Sequence, residues 1–312
     1  MTIPDHKPKM CNLSITLGCT LKCKMCFHWQ CDERTLTRPT INQWKHFLGS
    51  LHGKVNPDFT VVFGGGEPLL FPGELLELIS FCTRLRFRTV LATSGYTMTH
   101  DYARRLAAAG LDIISITLFS IDDRIHDNIR GITGAHQHAM HALDVLSLQN
   151  PKMHIAINSI IMKPSLGELL LLADWVNKDK RFPGINFQAV MKPFHTPPID
   201  NWYQTEPYRD LWPDNITEIE DVIDGLIQRK KGGNRISNPV SQLELFKSFF
   251  KQPENFVRSS PCNLVNGNFF NINSNGSVTI CPYMEPLGSI MEEDFLTLWG
   301  SRRNTMAQEK IK

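Results

Sequence analysis

Short apolar segments alternate with helical segments through the first two thirds of this 312-residue chain. Strands are predicted at 11–17, 59–63, 88–93, 111–118, 154–162 and 185–190, and helices at 41–51, 73–85, 100–109, 134–148 and 165–176. Continuously apolar strands are typical of a parallel sheet buried on both faces. Six such units are too few to close an eight-stranded barrel. We therefore predict an α/β fold with an open, partial (β/α)6 TIM-like barrel, whose open side can admit a large substrate.

The alternation ends after residue 192. Residues 193–215 hold five prolines and no periodicity, which predicts a linker packed on the surface. Helices are predicted at 216–230, 241–250 and 293–312, and a hairpin at 269–272 and 277–281 turns at Asn275-Gly276. The predicted domains are thus a barrel at 1–192, the linker at 193–215 and a smaller α+β extension at 216–312.

Composition restricts the classes of function. A formal net charge of +2 gives no argument for binding nucleic acid or an acidic membrane surface. No apolar run has the length of a signal-peptide core or a spanning helix. Eight unevenly clustered cysteines indicate metal or redox chemistry rather than a disulfide framework. The expected location is the cytoplasm.

Three cysteines, Cys19, Cys23 and Cys26, directly follow the first predicted strand. They lie at the carboxyl end of that strand, where α/β barrels place their chemistry. Thiolates at such short spacings hold iron–sulfur clusters, and an iron that lacks its cysteine is free to bind a substrate or cofactor. The alternative is a structural zinc site, closed by Cys31 or a histidine, in a scaffold protein without catalytic activity.

A glycine-rich turn closes the second predicted strand: Gly64, Gly65, Gly66, Glu67 and Pro68. Glycines allow positive φ angles and a close backbone approach, so they can expose N–H and C=O groups to a ligand. A tight turn between a strand and a helix would also explain the glycines without a ligand, but it explains Glu67 and Pro68 less well.

Cys-x3-Cys-x2-Cys after the first strand and Gly-Gly-Glu-Pro after the second together resemble the radical S-adenosylmethionine (SAM) superfamily. The resemblance implies that Cys19, Cys23 and Cys26 hold a [4Fe-4S] cluster whose fourth iron chelates the amino and carboxylate groups of SAM. It implies that residues 64–68 contact the SAM amino group. One electron, from a donor such as flavodoxin or ferredoxin, then cleaves the sulfonium. The products are methionine and a 5′-deoxyadenosyl radical that abstracts hydrogen from a substrate.

The resemblance places five further residues near SAM: Met25, Ser94, Ser115, Thr117 and Arg130. Phe119 stands where many members have an acidic residue, which puts a ribose contact at that position in doubt. Arg130 belongs to the segment His126-Asp127…Arg130-Gly131, which resembles one found in a branch of the superfamily; the resemblance implies that this arginine lies near the SAM carboxylate. A solvated arginine at a helix end is the alternative.

Several other polar, aromatic and sulfur-containing side chains have one or two interpretations. Asn158 and Gln188 either face the barrel mouth or are buried and bonded to neighbouring backbone. Cys11 and Cys82 are expected to be small buried hydrophobic residues. Cys31 is either a spare ligand or a core residue. His28 and Trp29 are expected to pack over the cluster and shield it from water.

In the second half, Cys262 and Cys281, the latter five residues after Gly276, resemble the start of SPASM and twitch extensions, which carry auxiliary iron–sulfur clusters. No further cysteines lie between Cys281 and Lys312, so we expect either a truncated sequence or an auxiliary cluster that is incomplete, differently ligated or absent.

The resemblance allows two substrate classes, ribosomal peptides and small alcohols or sugars. No fused peptide-recognition domain is expected before the first strand, which weakens the peptide case, but a separate protein could supply that recognition.

Overall fold

A computed structural model describes residues 7–149, 152–193, 201–253 and 268–311. Its centre is a sheet of six parallel strands in chain order, which confirms the predicted α/β partial barrel. The strands are β1 (Met10–Thr16), β2 (Thr60–Gly65), β3 (Arg88–Thr93), β4 (Ile113–Thr117), β5 (His154–Ile161) and β6 (Ile185–Ala189). β1 and β6 lie far apart in the sheet order, so these strands do not pair to close a barrel.

Helices cover the outer face of the sheet: α1 (Ile41–Ser50), α2 (Pro72–Arg84), α3 (His100–Ala109), α4 (Asp123–Arg130), α5 (Ala135–Ser147) and α6 (Leu169–Lys178). Alternate residues of each strand are buried against them; in β5, for example, Ile155, Ile157 and Ile161 are fully or nearly fully buried. The intervening residues, such as Asn158, are half-exposed on the concave face. The lumen of the barrel is therefore open.

Local sequence signals set several helix ends where they were predicted. α1 begins with a capping box between Thr40 and Gln43, and α3 ends at Gly110 with a φ of 87°. The helix predicted at 165–176 instead starts as a 3₁₀ segment, Lys163–Glu168, that continues into α6.

α4 has no counterpart among the predicted helices. Two polar side chains, His126 and Arg130, occupy buried positions on this helix beside Ile129, so the apolar periodicity is weak. Its ends do follow ordinary rules, since the Asp122 side chain caps its start and Gly131 ends it with a φ of 70°. A Cβ atom on Gly131 would lie 2.4 Å from the carbonyl oxygen of Lys22. The end of α4 is therefore in direct contact with the cysteine loop.

The segment after β6 is anchored more firmly than a surface linker. Within residues 201–212 the structure has two 3₁₀ turns, Trp202–Gln204 and Tyr208–Asp210. Trp212 is buried and packs on Phe249 and Phe250. These phenylalanines belong to α8 (Val240–Lys251), which follows α7 (Ile216–Lys231).

The connection between α7 and α8 protects the outer edge of β6. Asn238 is fully buried, and its carboxamide accepts a hydrogen bond from Phe187 N (2.7 Å) and donates one to Phe187 O (2.8 Å). A side chain thus satisfies backbone groups that would otherwise stay unpaired at an edge strand.

The C-terminal extension joins the same sheet. β7 (Phe269–Ile272) pairs parallel with β1, and β8 (Ser277–Thr279) and β9 (Gly288–Ser289) continue the sheet antiparallel, with the predicted hairpin between β7 and β8. The single helix predicted at 293–312 is instead two helices, α9 (Phe295–Trp299) and α10 (Arg302–Ile311). They separate because Gly300 ends α9 and the Ser301 hydroxyl accepts a hydrogen bond from Asn304 N (3.2 Å). None of the described helices combines the length and apolar character needed to span a membrane.

Candidate functional site

The cysteine loop lies across the carboxyl end of β1 and against α4. Its Lys22 and Lys24 N–H groups donate to the carbonyl oxygens of Arg130 and Ile129, both at 3.0 Å. Cys23 is buried, and Cys19 and Cys26 are half-buried beside it. The loop is therefore held by backbone hydrogen bonds, and its thiols share one partly dry environment.

The thiols fit a cluster with several irons. Burial raises the pKa of Cys19 to about 12 and that of Cys26 to about 11, and the Cys23 sulfur adds to both effects. Metal binding must therefore remove protons from these thiols. Among the described residues, no three His, Cys, Asp or Glu side chains converge on a point that one metal ion would occupy. A [4Fe-4S] cluster offers each thiolate a different iron, so its ligands lie around a larger body.

Glu33 fixes the start of this loop, and no sequence signal singled it out. Its carboxylate accepts hydrogen bonds from Leu17 N (2.8 Å), from Gly18 N (3.2 Å) and from the Thr16 hydroxyl. Burial raises the pKa of Glu33, but these bonds and one from Ser274 outweigh that effect and lower it. Because Ser274 lies between β7 and β8, Glu33 connects the extension to the cysteine loop.

The glycine turn packs directly against the residues that precede Cys19. Gly66 N donates to Thr16 O (2.6 Å), and Glu67 N donates to Gly18 O (2.8 Å). Gly65 has a φ of 104°, and a Cβ atom on Gly66 would lie only 2.1 Å from Gly18 O. Both glycines are therefore required by the contact between the two loops, and this contact brings the two motifs together.

Replacement of Gly66 by alanine is expected to destabilise the protein by about 1–3 kcal/mol or more, because backbone would have to move to admit the methyl group. The matched control is Gly73→Ala in α2, where an added Cβ meets nothing within 4 Å. That change is expected to be neutral or to stabilise by up to about 1 kcal/mol. Urea unfolding of both variants checks the difference, and equal stabilities would contradict it.

Glu67 is buried and its carboxylate is fully used by the protein. It accepts hydrogen bonds from the Thr93 hydroxyl (2.6 Å), from Ser94 N (3.0 Å) and from the Ser94 hydroxyl (2.5 Å), and also from Leu69 N (3.1 Å). Its exposed fraction is 1%. Glu67 thus ties the turn after β2 to the turn after β3, and its carboxylate is not available to a ligand.

Arg130 is buried beside the cysteine loop, so the solvated helix-end interpretation is wrong. Its guanidinium donates to Thr117 O (2.6 Å), lies 3.5 Å from the Cys23 sulfur and stacks on Phe119 at 4.8 Å. The Phe119 ring thus supports the Arg130 guanidinium. A fixed cation at this distance from Cys23 stabilises negative charge on the sulfur or on a group bound beside it.

His126 stays neutral at the base of this arrangement. It is fully buried, its Nδ1 atom accepts a hydrogen bond from Phe119 N (3.3 Å), and its Nε2 atom lies 3.4 Å from Arg130 Nε. Burial, followed by the charges of Arg130 and His136, lowers the pKa of His126 to about 2.

This pKa predicts a loss of stability in mild acid. The unfolded chain binds a proton on His126 below about pH 6.5, whereas the folded protein does not until about pH 2, so stability falls as the pH decreases below 6.5. Between pH 7.5 and 5.5 we expect His126 to account for a loss of about 1.4 kcal/mol. His126→Asn keeps an acceptor for Phe119 N and should lack this loss. Parallel pH dependences of the two unfolding free energies would contradict the assignment.

Small residues form the floor of the site above β2 and β3. Gly64 and Ala92 face the concave side, and a Cβ atom on Gly64 would meet only the Ala92 Cβ, at 3.9 Å. No other side chain therefore fills the concave face directly above Gly64. Of the other predicted contacts, Ser94 bonds Glu67, the Ser115 hydroxyl accepts from Asn158, and Thr117 is half-buried on the same face.

A cavity of about 180 Å³ lies between the cysteine loop and the end of β6. Met25 and Phe27 line one side, and Ile160, Val190 and Met191 line the other; the exposed Gln188 lies at its rim. His28 Nδ1 lies 2.9 Å from Gly65 O, so His28 joins the cysteine loop to the glycine turn. Asn158 and Gln188 are thus both on the open side of the barrel.

The remaining cysteines lie away from the three-cysteine loop or at its margin. Cys11 and Cys82 are fully buried in the core, as predicted. Cys31 is half-buried, and its sulfur is 3.7 Å from Phe27 O. Cys281 is half-buried just after β8, whereas Cys262, its predicted companion, lies outside the described residues.

A three-cysteine loop and a glycine turn, joined at the carboxyl edge of an open parallel barrel, define a class of proteins that present an iron–sulfur cluster to a bound cofactor. Residues 13–162 match the family model of the Radical SAM superfamily. This match identifies residues 13–162 as a radical SAM domain.

Curated relatives match about half of this chain or less. Over 169 residues, covering 54% of this chain and 47% of the relative, it is 28% identical to an AdoMet-dependent heme synthase of Methanosarcina barkeri. Over 125 residues, covering 40% and 32%, it is 30% identical to a PqqA peptide cyclase of Bradyrhizobium diazoefficiens. The chain spans less than half the length of these curated relatives.

Two solved structures share the fold. The structure of anSMEcpe with bound AdoMet has a TM-score of 0.70 at 19% identity, with coverage of 97% of this chain and 83% of the other. The structure of Streptococcus suis SuiB bound to S-adenosylmethionine has a TM-score of 0.69 at 15% identity, with coverage of 95% and 66%. The likeness includes the C-terminal extension, because nearly all of the chain is covered.

Proposed function

We propose that this protein reductively cleaves SAM at a [4Fe-4S] cluster held by Cys19, Cys23 and Cys26, and uses the resulting 5′-deoxyadenosyl radical to abstract hydrogen from a substrate. The observation that best supports this proposal is the contact between the cysteine loop and the glycine turn. It consists of hydrogen bonds from Gly66 N to Thr16 O and from Glu67 N to Gly18 O. This contact keeps the backbone of residues 64–66 beside the thiols. The chain's own part is to hold the cluster and to place SAM against it.

Arg130 and the small floor residues have defined tasks in this proposal. The guanidinium near Cys23 supplies positive charge for the carboxylate of SAM and for the reduced cluster. Gly64 and Ala92 leave room for the nucleoside part of SAM above the sheet. Ser115 and Thr117, on the next strand, offer hydroxyl groups on the same face.

The lumen favours a peptide as the substrate. Apart from Arg88 and His154 at the amino-terminal edge, its polar inward-facing residues are uncharged and include Asn12, Ser14, Ser115, Asn158, Asn186 and Asn271. A carboxamide offers both a donor and an acceptor, which match the N–H and C=O groups of a peptide backbone. The apolar cavity of about 180 Å³ is smaller than typical sites for whole ligands and suits one apolar side chain. A polyol would use the polar groups but would leave this cavity unfilled.

A tetrapyrrole, the substrate class suggested by the name of the heme synthase relative, fits the lumen less well. Its carboxylate groups require cationic partners. Among the inward positions of the described strands, the charged or titratable side chains are Arg88 and His154, both at the amino-terminal edge and far from the thiols. Lys192, at the cavity rim, directs its ammonium towards the ring of Tyr283 at 5.8 Å.

Two further parts of the proposal concern an auxiliary cluster in the C-terminal extension and the location of the protein in the cell. Cys281 and Cys262 are the residues proposed to contribute to an auxiliary cluster; loss of iron in a Cys281→Ser variant would support this. A cytoplasmic location is proposed because that compartment keeps thiols reduced.

The test uses protein reconstituted anaerobically with iron and sulfide. With SAM and dithionite, the wild-type protein is expected to form 5′-deoxyadenosine and methionine in equal amounts, and to form neither without the reductant. Deuterated peptides would transfer label into 5′-deoxyadenosine if they are substrates. Label from a deuterated alcohol or porphyrin instead of any peptide would overturn the substrate proposal, and absence of SAM cleavage would overturn the activity.

A further inference from the structure

The outer side of the cysteine loop carries two exposed lysines and an exposed tryptophan. From Leu21 to Lys24 burial alternates: Leu21 and Cys23 are buried, whereas Lys22 and Lys24 are exposed. The N–H bonds from both lysines to the end of α4 keep this strip extended. The two ammonium groups are therefore on the solvent side of the strip, opposite the Cys23 thiol.

Trp29 extends this surface and contacts the backbone of Cys23. Its indole N–H donates to Cys23 O at 3.2 Å, yet 36% of the residue is exposed. Tryptophan is enriched at protein interfaces, where its ring buries a large area at little entropic cost. A molecule that covers the Trp29 ring would be one hydrogen bond away from a residue that holds the cluster.

The charge of this surface is positive. Lys24 Nζ donates to the neutral Asn128 side chain at 2.8 Å, and neither Lys22 nor Lys24 forms an ion pair with another described residue. Nearby carboxylates of α4 and its cap have other partners. Asp122 pairs with Arg124 at 2.7 Å, and Asp127 accepts from backbone N–H groups at the start of α5. Asp123 is more than one helical turn from Asn128.

We propose that Lys22, Lys24 and Trp29 form the docking surface for an acidic one-electron donor protein, such as a flavodoxin, that reduces the cluster beside Cys23. The proposal rests on the proposed function, since each SAM cleaved requires one electron. The donor loses that electron and the cluster gains it. Two unpaired cations next to an exposed aromatic ring match an acidic surface with an exposed flavin edge, and complementary charge accelerates encounter and fixes orientation.

The test compares two reductants on one enzyme. With reduced flavodoxin at low ionic strength, a Lys22→Glu, Lys24→Glu double variant is expected to form 5′-deoxyadenosine at an initial rate at least about tenfold below that of the wild type. A tenfold decrease is the smallest effect that electrostatic steering usually has on association rates. Dithionite needs no docking surface, so any loss of rate with dithionite should be at least about tenfold smaller than the loss with flavodoxin. Added salt should slow the wild-type flavodoxin reaction and leave the variant nearly unchanged.

The matched control is Lys180→Glu, Lys231→Glu. Both lysines are exposed, they follow α6 and end α7 at the opposite side of the barrel, and the variant has the same net charge as the double variant. Trp29→Ala should weaken flavodoxin binding without charge reversal. The proposal is overturned if the two double variants lose equal activity with flavodoxin, or if Lys22→Glu, Lys24→Glu keeps the wild-type rate.

Binding gives a readout independent of catalysis. Titration of the reconstituted protein with oxidised flavodoxin should give a Kd at least about tenfold weaker for Lys22→Glu, Lys24→Glu than for the wild type and the control. Equal Kd values would overturn the docking surface even if no SAM were cleaved. Absence of SAM cleavage with dithionite, together with the expected binding differences, would overturn the proposed function and leave the docking surface supported.

Discussion

Replacement of Cys19, Cys23 and Cys26 together by alanine is expected to remove about four irons per chain and to reduce SAM cleavage to the rate without enzyme. The three thiols come from one loop held against α4 by two backbone bonds, so the variant should keep its fold while losing the cluster. Iron and sulfide analysis and the visible absorption of anaerobically reconstituted protein provide the measurement. Far-ultraviolet circular dichroism checks that the barrel is retained.

Two single cysteine variants are the controls. Cys82→Ala removes a thiol that is buried in the core, and Cys31→Ser removes the one nearest the loop in sequence. Both should keep the iron content of the wild type. A colourless wild-type protein with about one zinc per chain, lost in Cys31→Ser, would establish the zinc scaffold and refute the cluster.

Glu67→Ala is expected to destabilise the protein by at least about 3 kcal/mol, more than most single substitutions. The change leaves four buried donors without their acceptor, and each unsatisfied buried donor costs about 1–3 kcal/mol. The turns after β2 and β3 would no longer be tied together. Binding of SAM should therefore weaken even where the variant remains folded, which equilibrium dialysis at low temperature would measure.

The control for Glu67 is a carboxylate on the surface. Glu220→Ala removes an exposed ion pair with Lys251, whose atoms are 3.7 Å apart, and is expected to cost less than about 0.5 kcal/mol. Neither variant alters the cysteine loop directly, so both should bind iron. If Glu67→Ala were as stable as Glu220→Ala and bound SAM normally, the proposed role of Glu67 would be refuted.

Much of the fold was predictable because its signals are local. Continuous apolar strands, the Thr40 cap and the Gly110 C-cap lie within single elements, and each follows from backbone or side-chain preferences of neighbouring residues. α4 could not be predicted from such local signals, because the polar residues His126 and Arg130 occupy buried positions where a helical pattern would normally have apolar residues. Their partners are distant in sequence: Thr117 and Cys23 for Arg130, and Phe119 for His126.

The amino-acid sequence by itself determined the class of chemistry, since the thiols of Cys19, Cys23 and Cys26 and the glycines at 64–66 follow strands whose carboxyl ends share one edge of a parallel sheet. Only the tertiary structure decided which polar groups serve the protein and which remain for a ligand. Glu67 bonds Thr93 and Ser94 across 26 and 27 residues, and Asn12 approaches Asn271 across 259. Such pairs form because separate strands bring buried donors and acceptors together, and no short stretch of sequence records that proximity.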